Sequence, residues 1–399
     1  MILQGLKQQC THYLALLAQY RDVFRTAQDV VFTDLVGIDI DDTWLFAIQL
    51  RSPLGVVHVV AKAIQPLTPG VVLDDVIIEK TAFSKALTQL LPFGRFRSKN
   101  AALAAVGSKI AIKQIKLEGP LSEFDAEARA WTEARRAFPD LVKSILLDFS
   151  QQVEVNLSKV KQYTLVIVIV RREDVMPRID AVKEAGLTTK VLDVDYFALE
   201  RAYHLFAPQL PKQHIEKFVA IIHFNPHNMT LVVMHHKAAI YYTRQNYVGS
   251  SLIPFVDQIV SGKKPENKQK STPLNFSFNS AEQMPTLSEL TQTPEIPDDN
   301  QLSNEQKSHA VLSIRRLFQM FYSEQPGRVI DCIAMTGRCA LLTELVQYIG
   351  KTLDIPIIAA NPLAGFKISE EMNSKQTQAL GPAFAISCGL AMRGVSLWK

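Results

Sequence analysis

The sequence predicts an internally duplicated α/β protein of two domains. A chain of 399 residues is too long for one ordinary core. Period-2 apolar segments alternate with segments of helical spacing, the pattern of sheets covered by helices. A strand–turn–strand–turn–strand run at residues 36–64 returns at residues 218–244, alike in layout though hardly in letters.

The elements follow in chain order. Within residues 1–30, Leu3, Leu6, Cys10, Tyr13, Leu14, Leu17, Tyr20 and Phe24 form one apolar stripe at helical spacing, read as a helix that packs on its own domain, with docking on a partner or a membrane surface the alternative. "VGIDIDDTWLFAIQL" reads as strand, tight turn, strand, and "VVHVVAKAI" as a third strand. A helix over 82–91 and strands in "NAALAAVG" and "SKIAIKQIKL" come next. In "LSEFDAEARAWTEARRAFPD", Phe124, Ala128, Trp131, Arg135 and Phe138 mark one helix face, Ser122 with Asp125 offers a cap, and Pro139 ends the helix. "YTLVIVIV" is the clearest buried strand. The helix after it turns Val175, Ile179 and Val182 inward and stops at Gly186.

"KVLDV" and "DYFALERAYHLF" give a further strand and helix before the second meander, "FVAIIHF", "NPHN", "MTLVVMHH", "AAIYYTR". Residues 261–304 are rich in Pro, Ser, Asn, Gln and Lys without an apolar period, and read as a disordered or irregular insertion. Beyond them come a helix in "AVLSIRRLFQMFY", a strand in "VIDCIAMTG", a helix in "LLTELVQYIGKTL", a strand in "IPIIAANP" and a small-residue helix in "GPAFAISCGLAMRG".

Composition narrows the function. An apolar fraction of 47% with 21% charged residues fits a soluble globular chain. A net charge of +4, with no face-long basic run, does not favour nucleic acid. Cys10, Cys332, Cys339 and Cys388 lie far apart with no CxxC spacing, as buried thiols in a reducing compartment do. The longest apolar run is of strand length, not the roughly 20 residues of a membrane helix. With no signal-like start, the expectation is a cytoplasmic protein without a transmembrane segment. His223, His227, His235 and His236 cluster, but adjacent residues on a strand point to opposite faces, and loop and strand histidines are the plainer reading than zinc. No Walker-type or Gly-x-Ser-x-Gly motif occurs.

"LVGIDI", "VLDVDYFALERAY", "FYSE", "ANPLAGF" and "CGLAMR" occur in that order. Together they resemble the PilM family, actin-like cytoplasmic proteins of type IV pilus assembly, and more distantly FtsA. The resemblance runs from about Leu35 to Arg393. It implies an actin-like ATPase (ribonuclease H-like) fold of two domains, with an inserted subdomain in domain 1 and ATP with magnesium in the cleft. Mapped onto this chain, it gives an N-terminal helical extension at 1–34 and domain 1 at 35–100, 190–217 and 360–399. The inserted subdomain takes 101–189, domain 2 takes 218–260 and 305–359, and the irregular insertion takes 261–304.

It also implies a scaffold at the inner membrane that binds the N-terminal cytoplasmic tail of PilN. Through PilN it would be coupled to PilO, pilus biogenesis and twitching motility, with self-association open. The alternative implied by the same family is an active ATPase whose nucleotide state gates partner binding. An FtsA-like polymer would need a C-terminal amphipathic tail where this chain reads "GVSLWK".

The resemblance places nucleotide contacts at Gly37, Asp39, Asp41, Asp42, Thr43, Asn225, Thr230, Gly337 and Arg338, with Asp39 holding magnesium. Three departures count against hydrolysis. Asp41, Asp42 and Thr43 stand where the family has serines, and Phe46 where it commonly has lysine. His223, Phe224 and Asn225 replace Asp-Ile-Gly, and Thr336, Gly337, Arg338 and Cys339 replace a Gly-Gly site, so that Arg338 covers the nucleotide or blocks it. Two like charges about 4 Å apart cost about 1 kcal/mol even in water, so carboxylates beside a triphosphate need a cation between them. Glu133 reads as a solvated helix-face charge. Trp131, Arg135 and Phe138 are the partner-binding candidates, although Trp131 and Phe138 also suit a core.

Overall fold

The computed structural model describes residues 34–52, 56–105, 110–139, 144–155, 161–247, 250–262, 302–368 and 374–395. The expected N-terminal helix, nearly all of the 261–304 insertion and the end of "GVSLWK" lie outside them.

In chain order the first part comprises β1 (Val36–Ile40), β2 (Trp44–Arg51), β3 (His58–Pro66), β4 (Val72–Leu73), β5 (Val76–Ile77), α1 (Lys80–Gly94) and β6 (Asn100–Ala105). Next come β7 (Ile110–Leu117), α2 (Glu123–Ala137), β8 (Ile145–Val155), β9 (Lys161–Arg171), α3 (Arg172–Glu184), β10 (Thr188–Val194) and α4 (Asp195–Phe206). The second part has β11 (Val219–Asn225), β12 (Asn228–His235), β13 (Ala238–Asn246), α5 (Ile253–Ser261), α6 (Asn304–Glu324), β14 (Cys332–Thr336), α7 (Thr343–Leu353) and β15 (Ile357–Ala359). The chain then returns with β16 (Lys367–Ile368), α8 (Ser374–Ala379) and α9 (Ala385–Ala391).

Two sheets carry the duplication. The first runs β10-β6-β1-β2-β3-β16 and the second β13-β12-β11-β14-β15. In each, three antiparallel strands lead into two parallel ones, so β3-β2-β1-β6-β10 and β13-β12-β11-β14-β15 correspond strand by strand. Strands β11 and β12 are apolar on both faces because both faces are covered. One side meets α6 and α7. The other meets α4, whose Leu199, Ala202 and Tyr203 share a buried cluster with Val232, Met234 and Leu390. Helices α4 and α9 thus lie between the sheets. They approach so closely that a Cβ on Gly389 would sit 1.9 Å from the Ala198 carbonyl oxygen.

A third sheet, β7-β9-β8, carries α2 on one face. It adds to the sequence reading and shifts it. The reading began the inserted subdomain at Ala101, but β6 pairs in parallel with β1 and β10, so residues 100–105 belong to the first sheet. Helix α3 likewise packs with Phe83 and Leu87 in the first domain's core. It ends at Gly186 (φ +86°), with Gly186 N–H donating to Lys183 and Leu187 N–H to Val182. Strand β8 and helix α5 were not anticipated from sequence.

Helix α2 begins as expected, with Ser122 Oγ accepting the Asp125 N–H at 3.1 Å. Its inner face is different from the predicted one. Ala126, Ala130 and Ala134 are fully buried, while Phe124 is 79% exposed and Ala128 is exposed. Small side chains let the helix lie close on β8 and β9, which moves the seam about a third of a turn from the aromatic stripe. Glu133 is also corrected: it is buried at the centre of Arg136 (3.0 Å), Lys113 (3.5 Å) and Arg129 (3.7 Å), not solvated.

Candidate functional site

The turns of β1–β2 and β11–β12 face each other across the cleft between the two sheets. The first presents carboxylates: Asp39, Asp41 and Asp42 are all buried. Thr43 N–H donates to Asp41 Oδ1 at 3.2 Å, and Asp42 Oδ1 accepts the Asp75 N–H at 3.3 Å from the β4–β5 hairpin. Burial, and then the neighbouring Asp41, push the Asp39 carboxyl up to about 7. The same causes in the same order, with Asp75 added, push Asp42 up to about 6.

The second turn presents neutral groups. His223 Nδ1 lies 3.1 Å from Thr336 Oγ1 and its Nε2 lies 3.2 Å from Asn225 Nδ2, so both ring nitrogens are engaged. Burial, reinforced by Arg244, lowers His223 to about 3 and keeps it uncharged at neutral pH. Thr230 sits opposite His223 on β12 and beside Arg244 on β13, with 1% of its surface exposed.

Arg338 crosses the cleft. It follows Gly337, whose φ of +84° and whose approach to Phe224 (an added Cβ would stand 2.6 Å from its carbonyl oxygen) both require glycine. Arg338 N–H donates to Asn225 Oδ1 at 2.9 Å. Its guanidinium donates to both oxygens of Asp41, at 3.1 Å and 3.0 Å, and to Asp257 Oδ1 on α5 at 2.8 Å. Trp44 Nε1 donates to the same Asp257 oxygen at 2.7 Å. A second arginine, Arg244, pairs with Asp75 and, at 3.2 Å, with Asp195 at the start of α4. Arg178 Nη2 donates to the Asp75 carbonyl at 2.5 Å.

Of the residues singled out from sequence, Asp39, Asp41 and Asn225 line one cavity, and Arg338 contacts Asp41 and Asn225. Gly37 is not in it. An added Cβ there would stand 2.1 Å from the Ser387 carbonyl oxygen, so this glycine admits α9 onto β1. Phe46 packs edge-on against Phe384 at 5.4 Å, in the core. Trp131 and Phe138 are half-buried and Arg135 is exposed, on α2, apart from the cleft. Sequence reasoning missed Asp75, Arg178, Asp195, Arg244 and Asp257. Arg244 and Asp75 are 169 positions apart and Arg338 and Asp41 are 297 apart, so no local pattern links them.

A profile of the Type IV pilus assembly protein PilM matches residues 37–395. The chain belongs to the PilM family. Among solved structures, it is similar to a PilM from a PilM–PilN type IV pilus biogenesis complex, with a TM-score of 0.66 and 20% identity, covering 91% of this chain and 99% of that one. It is also similar, at a TM-score of 0.43 and 11% identity, to the ethanolamine utilization protein EutJ from Carboxydothermus hydrogenoformans, covering 95% of this chain and 96% of that one. The fold is that of the solved PilM, and the family assigns the chain to type IV pilus assembly. Among the described residues no helix is long and apolar enough to cross a membrane.

The sequence resemblance implies a nucleotide with magnesium between the two turns, and the residues present do not fit it. The cavity lined by both turns is about 20 Å³, room for about one ordered water, which needs about 10–15 Å³ of such space, and not for a nucleotide. Asn228 Oδ1 and Arg244 Nε are buried without a protein partner, and both residues line this cavity, as one buried water would require. Asp41 is engaged on both oxygens, and His223 offers neither a negative charge nor a free lone pair to magnesium.

Proposed function

We propose that this chain is a PilM-type scaffold on the cytoplasmic side of the inner membrane, holding the N-terminal tail of a PilN-type partner. Through that partner it is linked to a PilO-type protein and the pilus machinery. The observation that carries this reading is the family match over residues 37–395, which includes the third sheet and its helix as well as both actin-like halves. The similar solved PilM is described in a complex with PilN. Binding through a partner also accounts for membrane attachment in a chain whose described helices include none able to span one.

Helix α2 is the candidate docking element. Arg135 projects from it, exposed, beside half-buried Trp131 and Phe138, and the Glu133 ion-pair cluster holds the helix to β7. Exposed arginine next to partly covered aromatics is the composition of an interface centre. Fluorescence polarisation with the labelled N-terminal cytoplasmic peptide of the same organism's PilN tests the reading. Saturable binding, weakened roughly tenfold by Arg135→Glu (about 1.4 kcal/mol), is expected. No binding by the folded full-length protein would sink the proposal.

A further inference from the structure

The interdomain cleft contains two arginines paired with buried carboxylates, and their arrangement is directional. Arg338 and Arg244 both rise from the second domain. Three of the carboxylates they meet, Asp41, Asp75 and Asp195, belong to the first domain; Asp257, on α5, is the exception. Four carboxylates crowd the first turn and the β4–β5 hairpin; beyond burial, Asp41 raises the cost of ionising both Asp39 and Asp42, and Asp75 adds to it at Asp42. A cation is therefore required there, and the chain supplies it as side chains.

We propose that Arg338, assisted by Arg244, is a built-in occupant of the nucleotide cleft: it holds the two domains closed by ion pairs and excludes a nucleoside triphosphate. Arg338 is aimed by backbone and second-turn contacts, not by the carboxylates alone. Gly337 lies tight on Phe224, and Asn225 Oδ1 takes the Arg338 N–H while its own Nδ2 leans on His223. The guanidinium is left 1% exposed. A bidentate arginine–carboxylate pair of this kind combines strength with a fixed geometry. To enter, a triphosphate would have to break the Asp41 pair and then face Asp39, Asp42 and Asp75. Neutral His223 brings no positive charge to offset that repulsion, and the cations lining the cavity, Arg178 and Arg244, are already engaged with Asp75 and Asp195. The closed arrangement is thus independent of nucleotide, and the inference does not depend on which partner binds α2.

The test uses the full-length protein. Thermal unfolding is followed with and without ATP and magnesium, for wild type, Arg338→Met, Asp41→Asn and the double variant. At about 1 mM MgATP the wild-type Tm should move by less than about 1 °C. Arg338→Met leaves Asp41 buried without its partner and should lower Tm by roughly 10 °C. Asp41→Asn should cost less, and the double variant should fall well short of the two losses added together. Should Arg338→Met fail to fold, a soluble double variant still shows the coupling. A magnesium-dependent rise in the wild-type Tm beyond that limit would overturn exclusion. Losses that simply add would overturn the clasp.

Discussion

The β1–β2 and β11–β12 hairpins occupy equivalent places in two sheets of the same strand order, and their turns have diverged in opposite directions. The first is acidic, with Asp39, Asp41 and Asp42. The second is neutral, with His223 and Asn225, and is flanked by the cations Arg244 and Arg338. Turns that share one anionic ligand both present donors to it. These two are bridged instead by Arg338, which takes Asp41 of the first turn and Asn225 of the second, so the difference teaches that a side chain of the protein joins the turns.

The harshest break falls on the first hairpin. Gly37→Ala puts a Cβ against the Ser387 carbonyl and the Ala391 amide of α9. Backbone atoms cannot step aside cheaply, so a loss of about 4 kcal/mol or more is expected. Urea denaturation, or absence of folded protein, reads it. Arg244→Met comes next. It removes the guanidinium that pairs with Asp75 and Asp195 of the first domain and should cost about 3–5 kcal/mol in the same assay.

The two hairpins should also oppose each other in pH dependence. Asp39 has an ordinary value of 3.8 raised to about 7. Between those values the unfolded chain has released a proton that the folded chain still holds, so stability falls as pH rises. The slope is about 1.4 kcal/mol per pH unit for one group. Asp39→Asn should flatten that fall relative to wild type. His223 is lowered from 6.5 to about 3. As pH drops through this window the unfolded chain gains a proton that the folded chain refuses, so stability is lost toward acid. His223→Gln should lessen that loss. Unfolding midpoints from pH 4 to 7 separate the variants, and slopes changing in the same direction would refute the comparison.

The smallest expected effect is Trp44→Phe. It removes the donor to Asp257 while Arg338 keeps that carboxylate paired, and should cost about 1–2 kcal/mol in Tm-derived stability.

Much of the fold was legible locally. Apolar alternation in "YTLVIVIV", helical spacing in "DYFALERAYHLF" and the stop at Gly186 are properties of the chain over a few residues, and β9, α4 and the end of α3 follow them. Strand β8 escaped because "DFSQQVEV" is polar: among the described residues it pairs only with β9, on one edge of the third sheet, and residues 147–153 are half-buried or exposed. Helix α2 misled because its aromatics advertise a face, while the sheet's closeness selects alanines. Glu133 misled for the same reason, since its cations come partly from β7.

The sequence by itself determined that this is a duplicated α/β chain with PilM motifs and altered turns, because periodicity and turn chemistry act between near neighbours. It also marked Arg338 as a residue that covers or blocks. Only the tertiary structure supplied its partner: Asp41 lies 3.0 Å away across the cleft although the two are 297 positions apart in the chain, and burial makes each charge require a partner.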